Sequence, residues 1–253
     1  MRKFILLALQ LTLLNCTAVH SQTTDPNVIN HLDASVDASK VIQKFAANEL
    51  ANDSALKHYA FSRDLTIETI GLGGHVTGKY NRNSNFLFDN KGNRYESILF
   101  FPAPTIEESE ITPEKIQLFS NGSFYNGSKI GDYTFTYAGK QAIDELTTYI
   151  FDVTPKILSD SVQRNISKTS KASINYFQGR IWIDDRDYQM VKTKGKFISK
   201  FELNLPVIET YRENIDGTCW FPIYIYSDGN TGSLSNETHL KISVRYTNYK
   251  HIN

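Results

Sequence analysis

The stretch Pro206-Val207-Ile208-Glu209-Thr210-Tyr211-Arg212-Glu213-Asn214-Ile215-Asp216-Gly217-Thr218-Cys219-Trp220-Phe221-Pro222-Ile223-Tyr224-Ile225-Tyr226-Ser227 decides the fold class. Two runs, Pro206–Ile215 and Cys219–Ser227, are rich in β-branched and aromatic residues. Asp216-Gly217 separates them, and that dipeptide is among the strongest short-range signals for a hairpin. Glycine at its second position supplies a positive φ without steric cost. The arrangement repeats just upstream, where Tyr176–Asp184 and Tyr188–Lys196 face each other across Asp184-Asp185-Arg186-Asp187. Two consecutive hairpins predict an antiparallel sheet.

Working outward, the period-two pattern begins near His58. Leu65 and Ile67 alternate with Asp64, Thr66 and Glu68, and Gly71-Leu72-Gly73-Gly74 ends the run. Phe86 and Phe88 precede a turn at Asp89-Asn90-Lys91-Gly92-Asn93, with Tyr95–Phe101 as the returning strand. Tyr133–Tyr137, Leu146–Val153 and His239–Lys250 read as further strands. Only two segments carry helical spacing. The first runs over about Ala38–Ala51, capped by Asp37 or Ser39, with Ile42, Phe45, Ala46 and Leu50 on one apolar face. The second starts at Thr112-Pro113, carries Ile116, Leu118 and Phe119, and stops at Asn121-Gly122.

About ten strands with no alternating βαβ rhythm predict an α+β fold, a meandering antiparallel sheet with helices on one face. So many strands rarely stay flat and open, so the sheet should be strongly curved, an incomplete β-barrel with a helical lid. The polar segment 155–172 reads as an inserted loop.

The N-terminus speaks for export. Arg2 and Lys3 precede an apolar run, Phe4 to Leu14, that is too short to span a bilayer, and small residues follow. Val19 and Ser21 suit cleavage before Gln22, which makes residues 1–21 a signal peptide, 22–37 a flexible leader and 38–253 one domain. The alternative is a lipobox, Leu13-Leu14-Asn15-Cys16, with Cys16 lipidated, but Asn15 stands where such a box wants Gly, Ala or Ser. The expected location is the periplasm, or the outer membrane if Cys16 is the anchor. The chain holds 27 basic and 27 acidic residues, and loss of Arg2 and Lys3 leaves the mature part slightly acidic. That is no electrostatic footprint for nucleic acid. Cys219 is then the sole cysteine, so no intrachain disulfide can form, and its apolar neighbours Trp220 and Phe221 suggest a small buried strand residue.

Chemistry-bearing patterns are sparse. Asp184, Asp185 and Asp187 crowd three carboxylates together, but at a hairpin turn that favours Asp for backbone reasons. His31, His58, His75, His239 and His251 are scattered without zinc-ligand spacing. Gly71-Leu72-Gly73-Gly74 lacks the further glycine and following helix of a dinucleotide fingerprint, and no G-x-S-x-G elbow occurs. These absences argue against an enzyme, and nothing calls for a cofactor or a metal.

The C-terminal half resembles the superfamily of periplasmic lipoprotein carriers and outer-membrane lipoprotein-sorting proteins, including uncharacterised exported relatives. The residues that carry this are Gly179-Arg180-Ile181-Trp182-Ile183-Asp184 with Gln189-Met190-Val191-Lys192, then Glu209-Thr210-Tyr211-Arg212-Glu213, Asp216-Gly217-Thr218-Cys219-Trp220-Phe221-Pro222 and Arg245-Tyr246-Thr247-Asn248-Tyr249-Lys250. The order runs from about residue 130 to the end, with an echo at Gly74-His75-Val76-Thr77-Gly78-Lys79-Tyr80. The resemblance implies a curved barrel capped by helices, whose apolar concave face holds acyl chains of lipids or lipidated proteins. The expected protein is a monomeric carrier in transient contact with membranes; the alternatives are an outer-membrane-anchored accessory or interaction module without transport activity, and an exported hydrolase. Aromatic residues make up 12% of the chain and concentrate in the strands. Both a filled core and a lined cavity accommodate them. If a cavity exists, Phe86, Phe88, Phe135, Phe151, Phe177, Ile181, Phe221 and Ile223 are the candidate lining residues.

Overall fold

A computed structural model describes residues 28–29, 35–121, 129–156, 176–198, 205–233 and 236–252. The signal-peptide and Cys16 readings, and nearly all of the 155–172 insertion, lie outside these residues. In chain order the elements are β1 (Val28–Ile29), α1 (Ala38–Leu56), β2 (Tyr59–Ile70), β3 (Val76–Phe88), β4 (Arg94–Phe100) and α2 (Pro113–Ser120). They continue with β5 (Tyr133–Ile143), β6 (Leu146–Pro155), β7 (Tyr176–Asp184), β8 (Met190–Ile198), β9 (Ile208–Asn214), β10 (Trp220–Ser233) and β11 (Asn236–His251).

All strands join one antiparallel sheet in the order β1-β5-β6-β7-β8-β9-β10-β11-β2-β3-β4. β1 and β4 are its two edges, so the sheet curves without closing. Curvature has identifiable sources. Register shifts interrupt the β2–β3, β3–β4, β5–β6, β7–β8, β9–β10 and β2–β11 ladders. Each such irregularity bends its strand and adds local twist. Gly179 and Gly195 are directly paired between β7 and β8. A Cβ added to Gly179 would come within 2.4 Å of the Gly195 Cα, so only glycine permits this approach.

The inner face carries the core. Leu65, Ile67, Phe151, Ile181, Ile183, Met190, Leu240, Ile242 and Val244 are fully buried there, with Phe45 of α1 and Phe119 of α2 laid over them. The edge strand β4 differs, because Tyr95, Ile98, Leu99 and Phe100 remain exposed.

Both helices start as their caps predict. The Asp37 carboxylate accepts from the Lys40 amide at 3.0 Å, and the Thr112 hydroxyl from the Lys115 amide at 3.4 Å. α1 runs one turn beyond the expected end. Its buried line is Val41, Phe45, Glu49 and Asn52, whereas Leu50, read as part of the apolar face, is 70% exposed. The reason is electrostatic. Glu49 accepts from Arg212 of β9 at 2.8 Å, with both side chains almost wholly buried. Asn52 bridges Gln189 and the Trp220 amide. Polar partners on the sheet turn the helix by one position.

The Asp216-Gly217 hairpin has its expected positive φ, +86° at Gly217, inside a loop closed by Ile215 N–H to Cys219 O at 2.9 Å. The Asp216 carboxylate organises that loop, accepting from Tyr59, from the Thr218 hydroxyl and from the Cys219 amide. Cys219 lies at the loop's end, half-buried beside Tyr59, rather than inside a strand. Asp184–Asp187 form the turn between β7 and β8, where the Asp184 amide donates to Gln189 O at 2.8 Å. That satisfies the backbone reading of those aspartates.

Candidate ligand cavity

Among the described residues, rings pack together under the first half of α1, and a cavity lies under its second half. Under the first half of α1, Phe45 meets Phe135 edge-on at 6.2 Å, Tyr137 meets Phe151 at 5.4 Å and Phe177 meets Phe197 at 5.8 Å. Under its second half lies a cavity of about 490 Å³, roofed by Asn52, Asp53 and Leu56 of α1 and by Pro113, Ile116, Gln117 and Ser120 of α2. Its floor and walls come from β2, β3, β4, β9, β10 and β11.

That floor is aromatic. Phe61 stacks on Phe86 at 4.5 Å, and Phe221 packs against Tyr59 at 4.8 Å and Tyr249 at 5.2 Å. Burial pushes the Tyr249 phenol well above its usual pKa, so it stays neutral and donates to Pro222 O at 2.6 Å. Tyr246, buried likewise, donates to the Ser120 carbonyl and ties β11 to the end of α2.

Four guanidinium groups also line the cavity: Arg63, Arg82, Arg94 and Arg212. Arg82 holds Glu96 with two bonds, at 3.0 and 2.6 Å, and Arg63 reaches the same carboxylate at 2.9 Å. Arg212 is engaged with Glu49. Arg94 donates to the Leu56 carbonyl at 2.8 Å, at the last turn of α1, and no carboxylate among the described residues pairs with it. Burial lowers its pKa but leaves it charged. Arg63 faces the Phe86 ring at 4.7 Å and Arg94 the Phe61 ring at 5.5 Å, contacts favourable to both.

The candidate lining residues divide between the two ends. Phe86 and Phe221 line the cavity. Phe151, Phe177 and Ile181 belong to the buried core, and Phe135 packs against it. Phe88 is half-buried on β3 opposite Arg94. Ile223 falls in the β9–β10 irregularity between Pro222 and Tyr224, beside Glu213 and Arg245. The arginines were not singled out from sequence. They come from separate strands, and only the sheet order brings them together.

No family model matches the chain, and no curated protein matches it. Solved structures do. A DUF1329 family protein from Desulfovibrio piger is 14% identical, over 85% of this chain and 94% of its own, with a TM-score of 0.39. A LolA superfamily protein from Nitrosomonas europaea is 13% identical over 87% and 95%, with a TM-score of 0.33. A domain assigned to outer membrane lipoprotein sorting, from Vibrio parahaemolyticus, is 9% identical over 85% and 93%, with a TM-score of 0.39.

Proposed function

We propose that this protein is an exported binding protein that holds the acyl chain of a lipid or lipidated protein in the cavity between α1, α2 and the sheet. One observation carries the reading: a cavity of about 490 Å³ with an aromatic floor, in a domain whose other end is filled. That volume falls in the ordinary range for small-molecule sites, roughly 300–1,000 Å³. Burying a chain contributes about 0.8 kcal/mol per CH₂ before ordering costs, so a chain of ordinary length binds measurably on apolar contact alone. Of the eight candidate lining residues, this reading rests on Phe86 and Phe221, which line the cavity.

Export follows from removal of residues 1–21, leaving residues 38–253 as one carrier domain behind a short leader. Intact mass of the mature protein should correspond to a chain starting at Gln22. An acylated cysteine at the N-terminus would instead make it an outer-membrane lipoprotein. Native mass spectrometry of the protein purified from its cell envelope tests the binding role. Co-purified lipid is the expected result. A bare mass, together with no uptake of a fluorescent fatty acid, would remove the carrier reading.

A further inference from the structure

The cavity is not electrically uniform. On the β2–β4 wall three guanidinium groups, Arg63, Arg82 and Arg94, face one carboxylate, Glu96. On the opposite wall Arg212 stands between two carboxylates, Glu49 and Asp53, and burial raises the pKa of both against its pull. Positive charge therefore concentrates on the wall nearest the open edge of the sheet. Two donors there are incompletely used. The Arg63 Nε is buried and no atom of the described residues accepts from it. Arg94 is solvent-exposed at the cavity's rim and spends its donor on a neutral carbonyl, so its charge is open to an incoming anion. An unpaired buried donor calls for a partner that the protein alone does not supply.

We propose that Arg63, Arg82 and Arg94 form a head-group site for an anionic amphiphile, a carboxylate or phosphate whose chain lies on Phe61, Phe86 and Phe221. This rests on the acyl-chain reading above and adds the class of head group. A guanidinium's planar fork suits two-oxygen recognition of either anion, and the fork of Arg94, which no carboxylate among the described residues engages, is the one offered. The alternation of the strands keeps the arrangement in place. Arg63 and Leu65, like Phe86 and Glu96, share the inner face of β2–β4, so the head-group wall continues directly into the core.

Displacement of Nile red, an uncharged dye, from the mature protein separates head group from chain. Competitors are dodecanoate, 1-dodecanol of equal chain length, and inorganic phosphate. Dodecanoate should bind at least about tenfold tighter than dodecanol, the factor for one charge-assisted hydrogen bond of some 1.4 kcal/mol. In Arg94→Gln that ratio should fall toward one, and Arg94→Lys should restore most of it. Equal affinities in the unmutated protein would overturn the head-group site and leave the acyl-chain reading standing. Failure of both chains to bind would end both readings. Displacement by phosphate as strong as by dodecanoate would mark a free-anion site and overturn the amphiphile. The ratio in the unmutated protein decides the matter even if a variant fails to fold.

Discussion

The two halves of α1 cover two different interiors. Val41 and Phe45 press on a cluster of buried aromatic and aliphatic side chains, whereas Glu49, Asn52 and Asp53 stand over polar partners and a cavity. One helix thus joins a packed end to an end with a cavity, the end proposed to recognise the ligand. The difference teaches that burial alone does not locate a binding face in this fold. Where rings already touch across the sheet, as Phe45 and Phe135 do, the interior is core. Where guanidinium groups replace aliphatic chains on the same inner face, a cavity opens.

The sharpest way to break this division is to cut a ring from each end. Phe151→Ala should lower unfolding free energy by about 3–5 kcal/mol in urea, the usual cost of emptying a buried phenylalanine site. Phe86→Ala, half-buried at the cavity, should cost clearly less and should weaken binding of a fatty acid. Equal losses of stability would erase the contrast.

The seam between the two ends is the Glu49–Arg212 pair. Arg212→Met leaves Glu49 buried without its cation and should cost about 3 kcal/mol at pH 8. The Glu49 carboxyl already sits above its ordinary pKa because burial outweighs Arg212, and losing the arginine raises it further. A raised folded-state pKa means that the fold binds a proton the unfolded chain releases. The variant's stability is therefore best below the ordinary glutamate range and falls as pH climbs through the raised value. Urea midpoints for Arg212→Met and the parent should converge at pH 5 and part at pH 8. A pH-independent gap would show that Glu49 does not take up the proton.

Much of this was readable in advance, and the rest was hidden for definite reasons. Hairpins and caps are local, so Asp216-Gly217, Asp37 and Thr112 declared themselves. The face of α1 was misread by one position because an apolar Leu50 outranks a charged Glu49 in any periodicity, and Glu49 goes inward only to meet a residue 163 positions away. Ile223 does not follow Phe221 because a bulge interrupts alternation, and bulges leave no reliable trace in composition. Arg63, Arg82 and Arg94 look like ordinary surface charges until β2, β3 and β4 lie side by side.

Two smaller effects mark the sheet away from the cavity. Gly217→Val should cost about 1 kcal/mol, through its positive φ rather than through crowding, since a Cβ there meets nothing within 4 Å. An unchanged urea midpoint would contradict the loop geometry. On β9, partial burial of Glu209 is outweighed by Lys194, Tyr211 and Lys192, which hold its carboxyl down to about 2. A depressed folded-state pKa contributes stability above the ordinary glutamate range that is lost as pH falls toward 2. The pair is part-exposed, so the effect should stay below about 1 kcal/mol. Glu209→Gln should flatten that limb of the stability–pH curve, and an unaltered limb would show the ion pairs to be inert.

The division between filled and open ends is tested most directly by NMR titration of the mature protein with dodecanoate. Shifts confined to the open end are predicted, at Phe61, Phe86, Arg94, Phe221 and Tyr249, with Phe45, Phe151 and Phe177 unmoved. Shifts centred on Phe45, Phe151 and Phe177, or none anywhere at millimolar ligand, would contradict it.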